Sequence, residues 1–215
     1  KAAANTEVTV EVTDGSNWWN QDAVANSSGD WTANFAGITD IEPGIDGWVN
    51  QYDEEGNSTH RPFQIRNPYF YVDHQSNEVF GDEWSPNTTI TVAVDGQTWL
   101  TQSNSGGYFG MNLSPYDIMP GVEIQVTDGI DTRTHSVRNL SVTSIDVEGD
   151  ILTGAANPGE LEVMACTSGY CYSKYPVADG EGIWTEDFTD LTDITIDTYG
   201  YLYQYDDQGN YTRLY

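Results

Sequence analysis

The phrase GDWTANF at residues 29–35 returns as GIWTEDF at 182–188, with tryptophan, threonine and phenylalanine in register. The match continues past both copies, through AGITDIEPGIDGWVNQYDEEGNSTHRPF in one and TDLTDITIDTYGYLYQYDDQGNYTRLY in the other. Asp40 aligns with Asp193, Trp48 with Tyr201, and QYD at 51–53 with QYD at 204–206. A fainter copy lies between them, GGYFGMNLSPYDIMPGVEIQVTDGIDTRTHSV, in which Phe109 takes the tryptophan position, Leu113 the phenylalanine position and Asp128 that of Asp53. The aromatic positions are 78 and 75 residues apart, and the final aspartates 75 and 78. Solenoid and propeller units repeat every 20 to 50 residues and share one core. A longer interval suits a small domain with a core of its own. The chain is therefore expected to fold as three domains, at 1–63, 64–138 and 139–215.

Within the third copy, strand signals follow one another closely. SVTSIDVE alternates, GD at 149–150 marks a tight turn before ILTGAA, and NPG breaks the chain ahead of ELEVMAC. YCYSKYPV, IWTEDF, YGYLYQYD and YTRLY follow, separated by Asp, Gly and Asn turns. Seven short strands of this kind predict an all-β, immunoglobulin-like β-sandwich. Period-2 alternation points Trp31, Phe109 and Trp184 inward, together with Phe35, Leu113 and Phe188.

The first copy opens with KAAANTEVTVEV, whose AAANTEVTVEV aligns with GAANPGELEVM of the third. It lacks counterparts of the two strands that the third copy places at 139–158. A sandwich without them exposes core residues and an unpaired edge, a template for pairing with another chain. Two sources are open: strands of another chain, giving a head-to-tail homopolymer, or strands just upstream in a parent protein.

GAANPGELEV, ADGEGIWTEDF and YLYQYDDQGNYT resemble the bacterial Ig-like (Big) repeats of large prokaryotic surface proteins and adhesins. The resemblance covers all three copies and rests on turn and core signals, so it implies a fold rather than an activity. It implies neighbouring repeats as partners and an extracellular or cell-surface location. The middle copy departs most, with SPNTTITVAV in place of the PG strand.

Composition agrees with that setting. The chain has 34 acidic and 7 basic side chains, a net charge of −27 that opposes nucleic-acid binding. No apolar run is long enough for membrane insertion. Cys166 and Cys171 stand on either side of a turn-forming stretch, where paired strands bring them together as a disulfide, which implies an oxidising compartment. Sequons begin at Asn26, Asn57, Asn87, Asn112, Asn139 and Asn210 and permit a glycoprotein.

Catalytic signatures are scarce. His60, His74 and His135 are scattered, and His60 and His135 are expected on the surface or rim of the last strand of their copies. No nucleophile motif or phosphate-binding glycine loop is recognisable, so the expectation is a non-enzyme. Adjacent residues on a strand face opposite ways, so one of Trp18 and Trp19 is expected to be exposed, as a candidate contact for a surface glycan or a cover for a sheet edge. The turns DEEGN at 53–57 and DDQGN at 206–210 are either plain acidic hairpins or parts of structural calcium sites, each needing a second loop to reach six to eight oxygens. Sandwich topology suggests Asp128 and Asp131 with Asp40, Glu42 and Asp46, and Asp206 and Asp207 with Asp117 and Asp73. Interdomain calcium is also what the adhesin resemblance implies. The leading expectation is a structural or adhesive stalk or filament; the alternative is a carbohydrate-binding module or an accessory region of a secreted hydrolase.

Overall fold

The computed structural model describes residues 1–167 and 169–215. They form twenty strands and no helix, and they divide into two compact units, Lys1–Asn67 and Pro68–Tyr215. The chain is all-β, as its alternation and turn residues predict.

The first unit holds one antiparallel sheet of β1 (Glu7–Thr13), β2 (Trp18–Val24), β3 (Asp46–Tyr52) and β4 (Ser58–Gln64), in the order β2-β1-β3-β4. In EVTVEVT every second residue is valine, so Val8, Val10 and Val12 all face inward and are buried against Ala25, Phe35 and Ile45. Residues 31–35 keep the alternation, with Trp31 and Ala33 half-buried and Phe35 buried, yet they form no strand. Among the described residues the unit has no hairpin for that segment to pair with.

The second unit contains two cores. The first belongs to β5 (Tyr69–Asp73), β6 (Glu78–Asp82), β7 (Thr89–Val94), β8 (Gln97–Gln102), β9 (Phe109–Asn112), β10 (Glu123–Thr127) and β11 (Thr132–Ser136). The sheet β11-β10-β7-β8 and the ribbon β5-β6-β9 enclose Phe70, Val72, Trp84, Ile90, Val92 and Phe109. The second belongs to β12 (Ser141–Asp146), β13 (Ile151–Ala155), β14 (Gly159–Glu160), β15 (Glu162–Thr167), β16 (Tyr170–Lys174), β17 (Val177–Ala178), β18 (Ile183–Asp187), β19 (Tyr199–Tyr205) and β20 (Tyr211–Leu214). Here β12-β13-β18 and β16-β15-β19-β20 enclose Leu161, Val163, Trp184, Phe188 and Leu202.

The recurring phrase has a physical explanation. Gly29, Gly107 and Gly182 all adopt positive φ, at 77°, 91° and 82°. Their carbonyls accept the backbone N–H of Ala2, Trp84 and Ala156 at 2.9, 3.2 and 2.9 Å. A side chain there is strained by its own backbone, so the glycine returns with the turn. The aromatic that follows is a core residue in the second unit, where Phe109 and Trp184 are each 1% exposed. Both rings lie over a glycine of the neighbouring strand: a Cβ on Gly81 would come within 2.4 Å of Phe109, and one on Gly154 within 2.4 Å of Trp184. Trp31, lacking such a strand, stays half-buried. Trp84, equally buried but outside the repeated phrase, fills the core beside Phe109.

Candidate functional site

The two sandwiches of the second unit share a sheet. Strand β20 pairs antiparallel with β19 on one side and parallel with β5 on the other, giving the order β16-β15-β19-β20-β5-β6-β9. Tyr211, Thr212 and Arg213 lie opposite Tyr71, Val72 and Asp73. The last strand of one repeat thus closes the edge of the repeat before it.

On the inner face the junction is polar, with His135, Asn210 and Thr212 buried and Asp206 half-buried. Asp206 opens the turn ahead of β20 and accepts the backbone N–H groups of Gln208 and Asn210 at 2.9 and 3.0 Å. The Asn210 side chain donates to Asp206 at 3.1 Å and accepts the N–H of Phe70 at 3.2 Å. His135, on β11, places Nδ1 2.8 Å from Asp206 and Nε2 3.0 Å from the hydroxyl of Thr212. Thr212 also accepts the N–H of Arg138 at 2.8 Å. Burial pushes the Asp206 carboxyl up, but the hydrogen bonds from His135, Asn210 and Gln208 outweigh it and leave the group below its ordinary value.

The outer face is aromatic. Residues i and i+2 of a strand share a face, so YGYLYQY sends Tyr199, Tyr201, Tyr203 and Tyr205 outward while Leu202 and Gln204 are buried. Across the junction Phe80, Tyr71 and Tyr211 stack as a ladder, with centroids 5.0 and 4.8 Å apart. That is about the spacing of neighbouring strands, so the rings cover one another's faces. The Arg213 guanidinium lies 5.0 Å from the Tyr71 centroid and donates to Asp73 at 3.2 Å. Burial, with Glu162 nearby, raises the Tyr205 hydroxyl to about 12, so it stays neutral at physiological pH.

His135 is 1% exposed, which corrects its expected place on the surface. Register supplies the reason. His60 lies opposite Asn50 on β3 and so occupies the place of Arg213, whereas His135 lies opposite Ile124 on β10 and occupies the place of Leu214. One residue of offset turns a strand side chain to the other face. His60 is exposed; its Nδ1 is 2.8 Å from Asn50.

The acidic residues read as metal ligands have separate surroundings. Asp206 and Asp73 take His135 and Arg213. Asp128 is buried and accepts the N–H of Ser85 at 3.1 Å and those of Ile130 and Asp131 at 2.9 and 2.8 Å. Asp40, Asp46, Asp117 and Asp207 are exposed and Asp131 is half-buried. Among the described residues no three carboxylate, imidazole or thiol groups gather as a cation cage would require.

Cys166 and Cys171 form the expected disulfide, directly opposite each other on β15 and β16. Ser168, between them in the sequence, lies outside the described residues. Trp18 is 62% exposed and stacks on Trp48 at 5.0 Å, while Trp19 packs on the core of the first unit. The Asn210 sequon is closed to glycosylation because Asn210 is buried and both ends of its amide are bonded; the other five sequon asparagines are exposed. No helix is long and apolar enough to cross a membrane among the described residues.

No family model matches the chain, and no curated protein matches it. Among solved structures, a tetra-tandem repeat from the extending region of a large adhesion protein aligns over 99% of the chain at 17% identity, with a TM-score of 0.28. A Ca2+-stabilised adhesin that helps an Antarctic bacterium bind ice aligns over 98% at 14% identity, and a 1.5-MDa bacterial ice-binding adhesin over 100% at 15%, each with a TM-score of 0.23. The chain spans 66%, 63% and 86% of these three structures. At such TM-scores the likeness fixes neither a shared architecture nor a shared function.

Proposed function

We propose that this chain is a non-catalytic stretch of an extracellular stalk or filament, built from three Ig-like repeats at about 1–63, 64–138 and 139–215 and serving as a spacer or adhesive scaffold at a cell surface. The observation that carries the proposal is the β20–β5 pairing, which joins two sandwiches by backbone hydrogen bonds, a buried His135–Asp206 contact and a stacked tyrosine pair. A flexible linker has none of these; they make two domains resist bending as one body. The disulfide suits an oxidising exterior. Small-angle scattering tests the reading: residues 68–215 within the intact chain should behave as one rigid body, and Tyr211→Ala combined with His135→Leu should broaden the distance distribution. An unchanged distribution in that variant would count against a stiffening role.

Calcium belongs to the proposal only through the exposed carboxylates of Asp40, Asp46, Asp117 and Asp207 and the half-buried Asp131, since Asp206 and Asp128 are occupied by protein donors. Completion of the first unit belongs to it as well: residues 31–35 present an unpaired edge that a hairpin of the β12–β13 kind would close.

A second reading, glycan binding, is favoured by one observation. Trp18, Trp48 and His60 stack in a row on the outer face of the first sheet, beside Asn50 and Glu11, which are hydrogen-bonded at 2.7 Å. A glycan array comparing the intact chain with Trp18→Ala tests it.

A further inference from the structure

The docking that joins the two sandwiches uses two kinds of surface, and the chain carries a second, unused example of each. The donor surface is the turn Asp206–Asn210 with β20. The first unit repeats it at the same offset: Asp53, Asn57, Thr59 and His60 stand where Asp206, Asn210, Thr212 and Arg213 stand in the third repeat. The turn geometry is reproduced. Asp53 accepts the N–H groups of Glu55 and Asn57 at 3.0 and 2.8 Å, and the Asn57 amide at 2.9 Å. Strand β4, which follows, is the outer strand of its sheet, and residues 58–62 are all exposed.

The acceptor surface is β5, whose counterpart in the third repeat is β12. The glycines fix the correspondence, because Phe70 lies opposite Gly81 and Val142 opposite Gly154, the two residues over which the core rings rest. One step further along, Val72 lies opposite Val79 and Ile145 opposite Leu152, after a bulge that absorbs one residue. Phe70 and Val72 are 0% exposed, whereas Val142 and Ile145 are 42% and 57% exposed. Beside them opens a cavity of about 360 Å³ lined by Leu140, Val142, Ile145, Leu152 and Leu214. In the sandwich of β5–β11, β20 is seated at the corresponding edge, with Thr212 reaching His135 and Arg138. Strand β12 is the outer strand of its sheet. A bare edge with apolar residues on its inner face is a template for a further strand.

We infer that β4 of one molecule docks parallel on β12 of a second copy, repeating the β20–β5 pairing and linking copies head to tail. The register follows from the internal example: Ser58 opposite Ser144, Thr59 opposite Ile145, His60 opposite Asp146. A polar partner is also in place, since the His60 imidazole would face Asp146 where Arg213 donates to Asp73. Asp146 accepts the N–H groups of Glu148 and Gly149 at 3.1 Å each, much as Asp73 accepts that of Ser76 while also holding Arg213. A difference is also fixed: the place of His135 is taken by Leu214, so the contact lacks the buried imidazole and should be weaker than the internal one. Pro62 does not obstruct the pairing because it lies beyond the three paired residues. A heterologous contact of this kind propagates as an open filament or closes as a ring.

This goes beyond the proposed function, which would hold equally for a chain that never self-associates. It also differs from completion of the first unit by another copy, which needs a spare hairpin; β5–β6 and β12–β13 are both built into their own sandwiches.

The intact chain tests it twice. Sedimentation velocity should show concentration-dependent oligomers. Ile145→Asp, at an exposed position, should raise the concentration needed for association at least tenfold, while Leu100→Asp on β8 should not. In the second test Thr59→Cys and isotopically labelled Ile145→Cys chains are mixed and oxidised, and the mixed disulfide is identified by mass. It should form, and Thr59→Cys mixed with Leu100→Cys should give none. A chain that stays monomeric at several hundred micromolar without the mixed disulfide, or one that cross-links Leu100→Cys as readily as Ile145→Cys, would overturn the inference.

Discussion

His135 and Asp206 lie 2.8 Å apart, nitrogen to carboxylate oxygen, although they stand 71 residues apart in the chain and belong to sandwiches with separate hydrophobic cores. The imidazole comes from the last strand of one sandwich and the carboxylate from the last turn of the next. Their contact is the buried centre of a junction whose outer layer is aromatic.

Removing both partners should therefore cost less than the two single removals added together. His135→Leu supplies a side chain that the third repeat tolerates at the same position, Leu214, yet it strips the half-buried Asp206 of a donor. A loss of about 2 kcal/mol is expected. Asp206→Asn should lose a similar amount, and the double variant less than the sum. Denaturant unfolding of the four proteins gives the coupling, and hydrogen exchange at β20 amides shows whether it acts at the junction.

The Asp206 carboxyl sits below its ordinary value of 3.8, since the His135 and Asn210 hydrogen bonds outweigh burial. Asp128 is lowered as well, where Ser85 and the turn amides overcome its burial. A carboxyl depressed in the folded state contributes stability that is complete above its unfolded value and is lost as pH falls through the folded one. The Asp206 contribution should hold down to about pH 4 and disappear below it. Melting curves of the parent and Asp206→Asn should converge only in that acid range; convergence already near neutrality would refute the assignment.

Tyr71 and Tyr211 stack with centroids 4.8 Å apart and planes 7° apart. Truncating Tyr211 to alanine should cost about 1 kcal/mol beyond its lost buried area. Tyr211→Phe should cost little, because stacking rather than the hydroxyl makes the contact. Limited proteolysis should then cut the alanine variant first near the 138–140 connection.

Reduction of Cys166–Cys171 opens a short loop, so the chain should lose only about 2 kcal/mol and remain folded. Intact mass under non-reducing conditions should show no alkylatable thiol.

Addition of calcium after EDTA treatment should raise the melting temperature by several degrees if exposed carboxylates take up the ion. The increase should vanish in Asp40→Asn combined with Asp46→Asn. An unchanged melting curve would remove calcium from the proposal.

The repeat, the strand periodicity and the turn glycines were legible in the chain because they arise from local sterics. Gly29, Gly107 and Gly182 each solve the same backbone problem, and EVTVEVT or YGYLYQY can alternate in only one way on a pleated strand. Inward aromatics and the cysteine pairing follow from the same period of two. What joins one sandwich to another was not legible. A strand's free edge consists of backbone N–H and C=O groups that every residue except proline possesses, so nothing in YTRL names β5 as its partner. Nor does a histidine near a strand end reveal its face, because a single residue of register separates exposed His60 from buried His135. Local conformation is written residue by residue, but edge pairing and register are fixed only when two distant cores come together.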